Sequence, residues 1–123
     1  MLEAYSTGIT VAANSVVPFN SVSIEKGCTA KLASPTSIEL NKCGVYMVAV
    51  DAVASASTTL QLTKDGTPQP QAQSTGTACS FVTLVQVPTN NSNCACASPV
   101  TLRLLNSTAV TLTNCNIVVT KIC

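Results

Sequence analysis

The sequence predicts an all-β chain folded as a two-sheet antiparallel sandwich, and three observations predict it. No helical apolar period is sustained anywhere along the 123 residues, whereas short apolar runs recur with turn residues between them. Ser, Thr, Asn, Val and Ala dominate, a composition that suits strands and tight turns better than helices. The apolar runs also come in two kinds. Residues 44–50 (GVYMVAV), 81–87 (FVTLVQV) and 116–122 (NIVVTKI) are apolar or uncharged almost throughout, while 58–64 (TTLQLTK) and 101–105 (TLRLL) alternate. A strand alternates when one face meets core and the other water; it reads apolar throughout when both faces are covered. A chain this short cannot easily cover a second sheet face by itself, so the expected cover is another copy.

Taken in order, strands are expected at 4–11, 16–24, Ser37–Leu40, 45–53, 58–63, 79–87, 100–105 and 109–122, the last broken near Asn114. Asp65-Gly66 follows an alternating run and is the strongest hairpin signal, because a type I′ turn needs positive φ at both central residues. Beyond it, Pro68 and Pro70 cannot donate to a ladder, so 67–74 is an edge strand or a loop. Residues 88–97 (PTNNSNCACA) read as a surface loop. No repeat, linker or second domain interrupts residues 1–123, leaving a single sandwich, jelly roll or small barrel.

The order of features resembles the jelly-roll heads of the tumour-necrosis-factor and complement globular-head superfamily, which includes heads of spore-surface collagen-like proteins and related domains on phage particles. The residues that carry the resemblance are Val17-Pro18-Phe19-Asn20, Gly44-Val45-Tyr46-Met47-Val48, LQLTKDG at 60–66 and the terminal strand at 117–122. The resemblance implies a homotrimer of TNF-like jelly rolls. In that family an inner sheet of the first, central, sixth and last strands packs around a threefold axis. Tyr46, Val48, Phe81, Val85 and Val119 are therefore the expected trimer contacts, and a short N-terminal segment is available as an anchoring arm. Departures from the family are the absence of a collagen-like stalk, few aromatic residues and added cysteines.

Several function classes are excluded on chemistry. Net charge is +1 with 9% charged residues, and the six cations (Lys26, Lys31, Lys42, Lys64, Arg103, Lys121) form no stripe, so neither nucleic acid nor anionic lipid is an expected partner. No run approaches the length of a membrane helix, and MLEAYSTGIT lacks the pattern of a signal peptide, so synthesis in a cytosol is expected. With no histidine, imidazole-based triads and the usual zinc ligand are absent. The five carboxylates (Glu3, Glu25, Glu39, Asp51, Asp65) form no paired motif, although Glu39 and Asp51 are the pair a fold could bring together. No catalytic residue and no cofactor are expected. Asn90-Asn91-Ser92 and Asn106-Ser107-Thr108 match the glycosylation pattern but read as turn residues.

The seven cysteines fit an oxidising destination reached without an export signal, as for a particle assembled in a cytosol and then released. Burial as small apolar groups is the plainer alternative. Cys94-Ala95-Cys96 is the one compact ligand-like element, but a closed zinc site wants four ligands, so disulfides are favoured and no metal is expected. Under jelly-roll strand order, Cys28, Cys43, Cys94, Cys96 and Cys123 gather at one end and Cys79 and Cys115 at the other. Three copies of seven give an odd total, so equivalent copies keep at least one cysteine per chain out of a disulfide. The expected function is a structural virion protein, a trimeric capsid decoration or head-fibre protein of a bacteriophage on the virion surface. Its expected partners are sister copies and the major capsid protein or another virion protein. The alternative is a trimeric surface-exposed head on a spore or cell that recognises protein or glycan.

Overall fold

The structure, a computed structural model, describes residues 1–27, 29–90, 95–96 and 99–123, with backbone alone at 89–90 and 95–96. In chain order the strands are β1 (Leu2–Val11), β2 (Ser15–Val16), β3 (Ser21–Glu25), β4 (Ala30–Ser34), β5 (Ser37–Leu40), β6 (Gly44–Lys64), β7 (Thr67–Val87), β8 (Thr89–Asn90), β9 (Ala95–Cys96), β10 (Val100–Asn106) and β11 (Val110–Lys121). The pairing resolves into two layers joined by β6 and β7. A front sheet runs β3-β1-β11, then the first half of β6 and the second half of β7. A back sheet runs β4-β5-β10, then the second half of β6 and the first half of β7, with β2 on the end of β10.

The crossing is built by small residues. From Val53 to Thr58, β6 advances five residues while its partner moves only from Ala78 to Gly76, so 54–57 (ASAS) bulge and turn the strand from front to back. The compensating bulge lies in β7, where Gln61↔Gln73 is followed by Thr63↔Pro68. Inward side chains from both layers fill one core, including Leu2, Tyr46, Val48, Leu60, Leu62, Leu102, Leu104, Leu112, Ile117 and Val119. Asp65 (φ 51) and Gly66 (φ 84) form the expected type I′ turn between Lys64 and Thr67, and the Asp65 side chain accepts from Thr101 N–H at 2.9 Å.

Several elements differ from expectation for physical reasons. The segments expected at 45–53 and 58–63 are one strand, because the bulge preserves pairing through the bend. The proline-bearing 67–74 segment is the edge strand of the two alternatives and continues into 79–87. The run expected at 16–24 is broken by Val17-Pro18-Phe19-Asn20, which crosses between layers. There Val17 and Phe19 are buried, Val17 N donates to Leu104 O and Phe19 N to Pro35 O. Buried Ser6 pins this crossing, donating to Pro18 O and accepting from Asn20 N–H. The edge strand β4 has too few apolar residues (AKLAS) to signal itself. The 88–97 stretch, expected to be a loop throughout, contains the short β8–β9 ribbon. The break near Asn114 is a bulge between Leu112 and Asn114. Leu2 and Ala4 are fully buried in a strand paired on both sides, so the segment offered as an anchoring arm is part of the front sheet.

Gly44 (φ 140) opens β6 against the C-terminal end of the chain, and a Cβ there would meet Cys123 O and Lys121 Cε. Gly44→Ala is expected to destabilise the fold by more than ~1 kcal/mol, since it adds both backbone strain and a clash. Urea unfolding of the two proteins checks this; equal midpoints would contradict it.

Candidate functional site

The outward face of the front sheet is the unusual surface of this molecule. Register aligns its side chains in rows: Ile24, Glu3, Val118, Ala49 and Val82 in one; Thr120, Met47 and Leu84 in the next; Tyr5, Asn116, Asp51 and Ser80 in a third. Val82 is 64% and Leu84 57% exposed, while Val45, Met47, Ala49 and Val118 are partly covered. These are the alternate residues of the runs that read as apolar throughout, and they make a contiguous apolar band over β11, β6 and β7.

The side chains expected as trimer contacts are covered by their own chain. Tyr46 and Val48 are 0% exposed, and Val85 and Val119 are equally enclosed within their own chain. Phe81 packs half-buried against the same core. The Tyr46 hydroxyl donates to Lys42 O at 2.7 Å and Thr29 O at 3.2 Å, closing the lower end of the sandwich. Tyr46, Val48, Val85 and Val119 are therefore core, and Val45, Met47, Ala49, Val82, Leu84 and Val118 are the residues of these strands that face outward. Glu39 and Asp51 do not converge, because Glu39 pairs with Lys31 and Thr101 on the back layer and Asp51 with Asn116 and Ser80 on the front.

The cysteines divide between two ends as far as they are described. Cys79 and Cys115 both stand opposite Ala52, one on each side of β6. That places their Cα atoms two strand spacings apart, roughly 10 Å, beyond the reach of a disulfide. Both are buried free thiols, so the disulfide expected at this end does not form. Cys79 Sγ donates to Gly76 O at 3.3 Å and Thr58 O at 3.6 Å. At the opposite end Cys43 precedes Gly44, and Cys123 carries an exposed free thiol with its carbonyl accepting from Val45 N–H. Cys28, Cys94 and the Cys96 side chain lie outside the described residues, and with them the Cys94/Cys96 metal candidates. Among the described residues no group of three or more His, Cys, Asp or Glu gathers as a metal site requires.

One polar cluster was invisible in the sequence. Asn106 is 0% exposed, and its Nδ2 donates to Val11 O, Ala12 O and Thr108 O while Oδ1 accepts from the Thr58 hydroxyl. It staples the β1–β2 turn to the β10–β11 turn. An amide so enclosed cannot accept a glycan; Asn106 ends β10 as a buried strand residue and only Ser107 and Thr108 lie in the turn, while Asn90-Asn91-Ser92 lies partly outside the described residues.

No protein-family model matches this sequence, and no curated protein matches it. Similar solved structures include the crystal structure of murine APRIL, of the tumour necrosis factor family, with a TM-score of 0.64 over 98% of each chain at 9% identity. A CBM35 structure from Paenibacillus barcinonensis has a TM-score of 0.42 at 16% identity, covering 98% of this chain and 93% of that one. The fold and its strand order define a class: this is an all-β, TNF-like jelly roll. At such identity the APRIL likeness extends to the fold alone.

Burial, then the charges of Cys79 and Asp51, push the Cys115 thiol up from 9.0 to about 12. Burial also raises Cys79, against hydrogen bonds from Leu60 and Ser74. In the window from 9.0 to about 12 only the unfolded chain releases the Cys115 proton. This contribution is thus complete below 9.0 and is lost as pH rises through that window, at up to about 1.4 kcal/mol per pH unit. Urea unfolding between pH 8 and 10.5 is expected to show a shallower pH dependence in Cys115→Ala than in the parent. Parallel curves would refute the assignment.

Proposed function

We propose that this chain is a non-catalytic structural head that assembles as a homotrimer through its front face and serves on the surface of a bacteriophage particle, as capsid decoration or head-fibre protein. The observation that carries the reading is the apolar outward face of the front sheet, with Val82 and Leu84 more than half exposed in the single chain. Each such side chain contributes roughly 1.5–3 kcal/mol when covered, so leaving the band in water is costly.

Strand β7 supports a sister copy as the cover. It is the edge of both layers, and its two halves are treated differently. The back half carries Pro68, Pro70 and a bulge, devices that blunt an edge against pairing. The front half, 79–87, has no proline, no charge and no bulge, and presents Val82 and Leu84 outward. An unblunted apolar edge beside an apolar face is a liability in a monomer and an asset in an assembly. The resemblance to TNF-type heads, whose inner sheets meet at a threefold axis, makes three the expected number. The trimer's remaining surfaces would meet the major capsid protein or another virion protein, through loops at one end.

Light scattering at micromolar concentration is expected to give a mass three times 12.6 kDa. Leu84→Lys is expected to weaken association ~100-fold or more while leaving the far-ultraviolet circular dichroism unchanged. A parent protein that stays at 12.6 kDa would remove the proposal. Absence of the chain from purified particles, by mass spectrometry and electron microscopy, would remove the virion role alone.

A further inference from the structure

The outward face of the back sheet carries a groove of about 170 Å³ lined by Asn14, Thr59, Gln61, Leu105, Asn106 and Ser107. It lies on the layer opposite the apolar front face, so copies that meet front to front leave it open. Its walls are held in place. Buried Asn106 is tied to both flanking turns, Ser107 Oγ accepts from Thr59 N–H at 3.0 Å, and the Thr59 and Thr75 hydroxyls share a 2.7 Å hydrogen bond. Asn14 sits at φ 56 in the turn between β1 and β2. What remains facing the groove is uncharged hydrogen-bonding capacity above the apolar Leu105. The Asn14 amide has no hydrogen-bond partner among the described residues, and Gln61 uses only its Nε2, on Gln69 O at a long 3.5 Å.

We infer that this groove is a subsite for a neutral polyhydroxylated ligand, one pyranose unit of a glycan. Side-chain amides and hydroxyls both donate and accept, which is what ring hydroxyls require. No Lys, Arg, Asp or Glu lines the groove, which leaves an anionic or cationic ligand unpaired. A peptide finds no ladder here, because the backbones of β6 and β10 pair with each other through Gln61↔Leu105 and Leu60↔Asn106. Neighbouring strands stand about 4.8 Å apart, so the groups reaching from β6 and β10 span a distance on the scale of a sugar ring. No aromatic ring is present for stacking, so a single groove binds weakly, with Kd near ~1 mM. Several copies on one particle raise the effective affinity without any new contact.

The subsite does not depend on the oligomer, since one groove belongs to one chain. Its failure and that of the trimer are therefore seen separately. The test is amide chemical-shift mapping of the 15N-labelled protein with glucose, galactose, mannose or N-acetylglucosamine at up to about 50 mM, well above a millimolar Kd. At least one sugar is expected to shift the amides of Asn14, Gln61 and Ser107 and to leave the front sheet unmoved. The double variant Asn14→Ala, Gln61→Ala is expected to lose these shifts while its other amides keep their positions. Two results would overturn the inference: no sugar moving the groove amides, or trialanine moving them as strongly as the best sugar.

Discussion

Strand β6 is the constraint on which the rest of the structure depends. It is hydrogen-bonded on both sides along most of its length, to β11 and β7 in front and to β10 and β7 behind. Because one covalent strand belongs to both layers, the layers cannot slide or separate without breaking its ladders. Its inward residues, Tyr46, Val48, Val50, Ala52, Leu60 and Leu62, are core for the two sheets at once. The small residues at 54–57 let the chain turn from one layer to the other, and Ala52 leaves room for Cys79 and Cys115 beside it.

A second consequence of this shared architecture is that β7 becomes the edge of both sheets, and one strand carries two opposite treatments of an edge. Prolines and a bulge close the back half, and an apolar, uncharged sequence leaves the front half open. The polar features follow the same division. The back layer and its turns hold the Asn106 cluster and the uncharged groove, whereas the front layer presents the outward apolar band of Val45, Met47, Ala49, Val82, Leu84 and Val118. A molecule so polarised has one apolar outward face and one uncharged, polar one.

The cysteines illustrate why composition alone misleads about their role. Seven in 123 residues suggest cross-links. Yet Cys79 and Cys115, which topology does bring to one end, are held apart by the width of a strand and behave as buried apolar groups. Proximity in a sheet is quantised by strand spacing, and a disulfide fits between neighbours but not across an intervening strand.

Local chemistry made the β class, the type I′ turn at Asp65-Gly66, the edge character of 67–74 and the break near Asn114 legible in the sequence, because each depends on a few adjacent residues. Strand β4, the continuity of β6 and β7, and the Asn106 cluster were not legible, since they arise from pairings between distant segments. The same limit explains why Tyr46, Val48, Val85 and Val119, read as contacts, lie in the core. Where both alternate sets of a strand are apolar, as in 44–50, period two marks two faces without saying which turns inward. The sequence alone determined that both alternate sets of these ribbons are apolar. Only the tertiary register, setting Tyr46 and Val48 against the back layer, decided that Met47, Ala49, Val82 and Leu84 face outward.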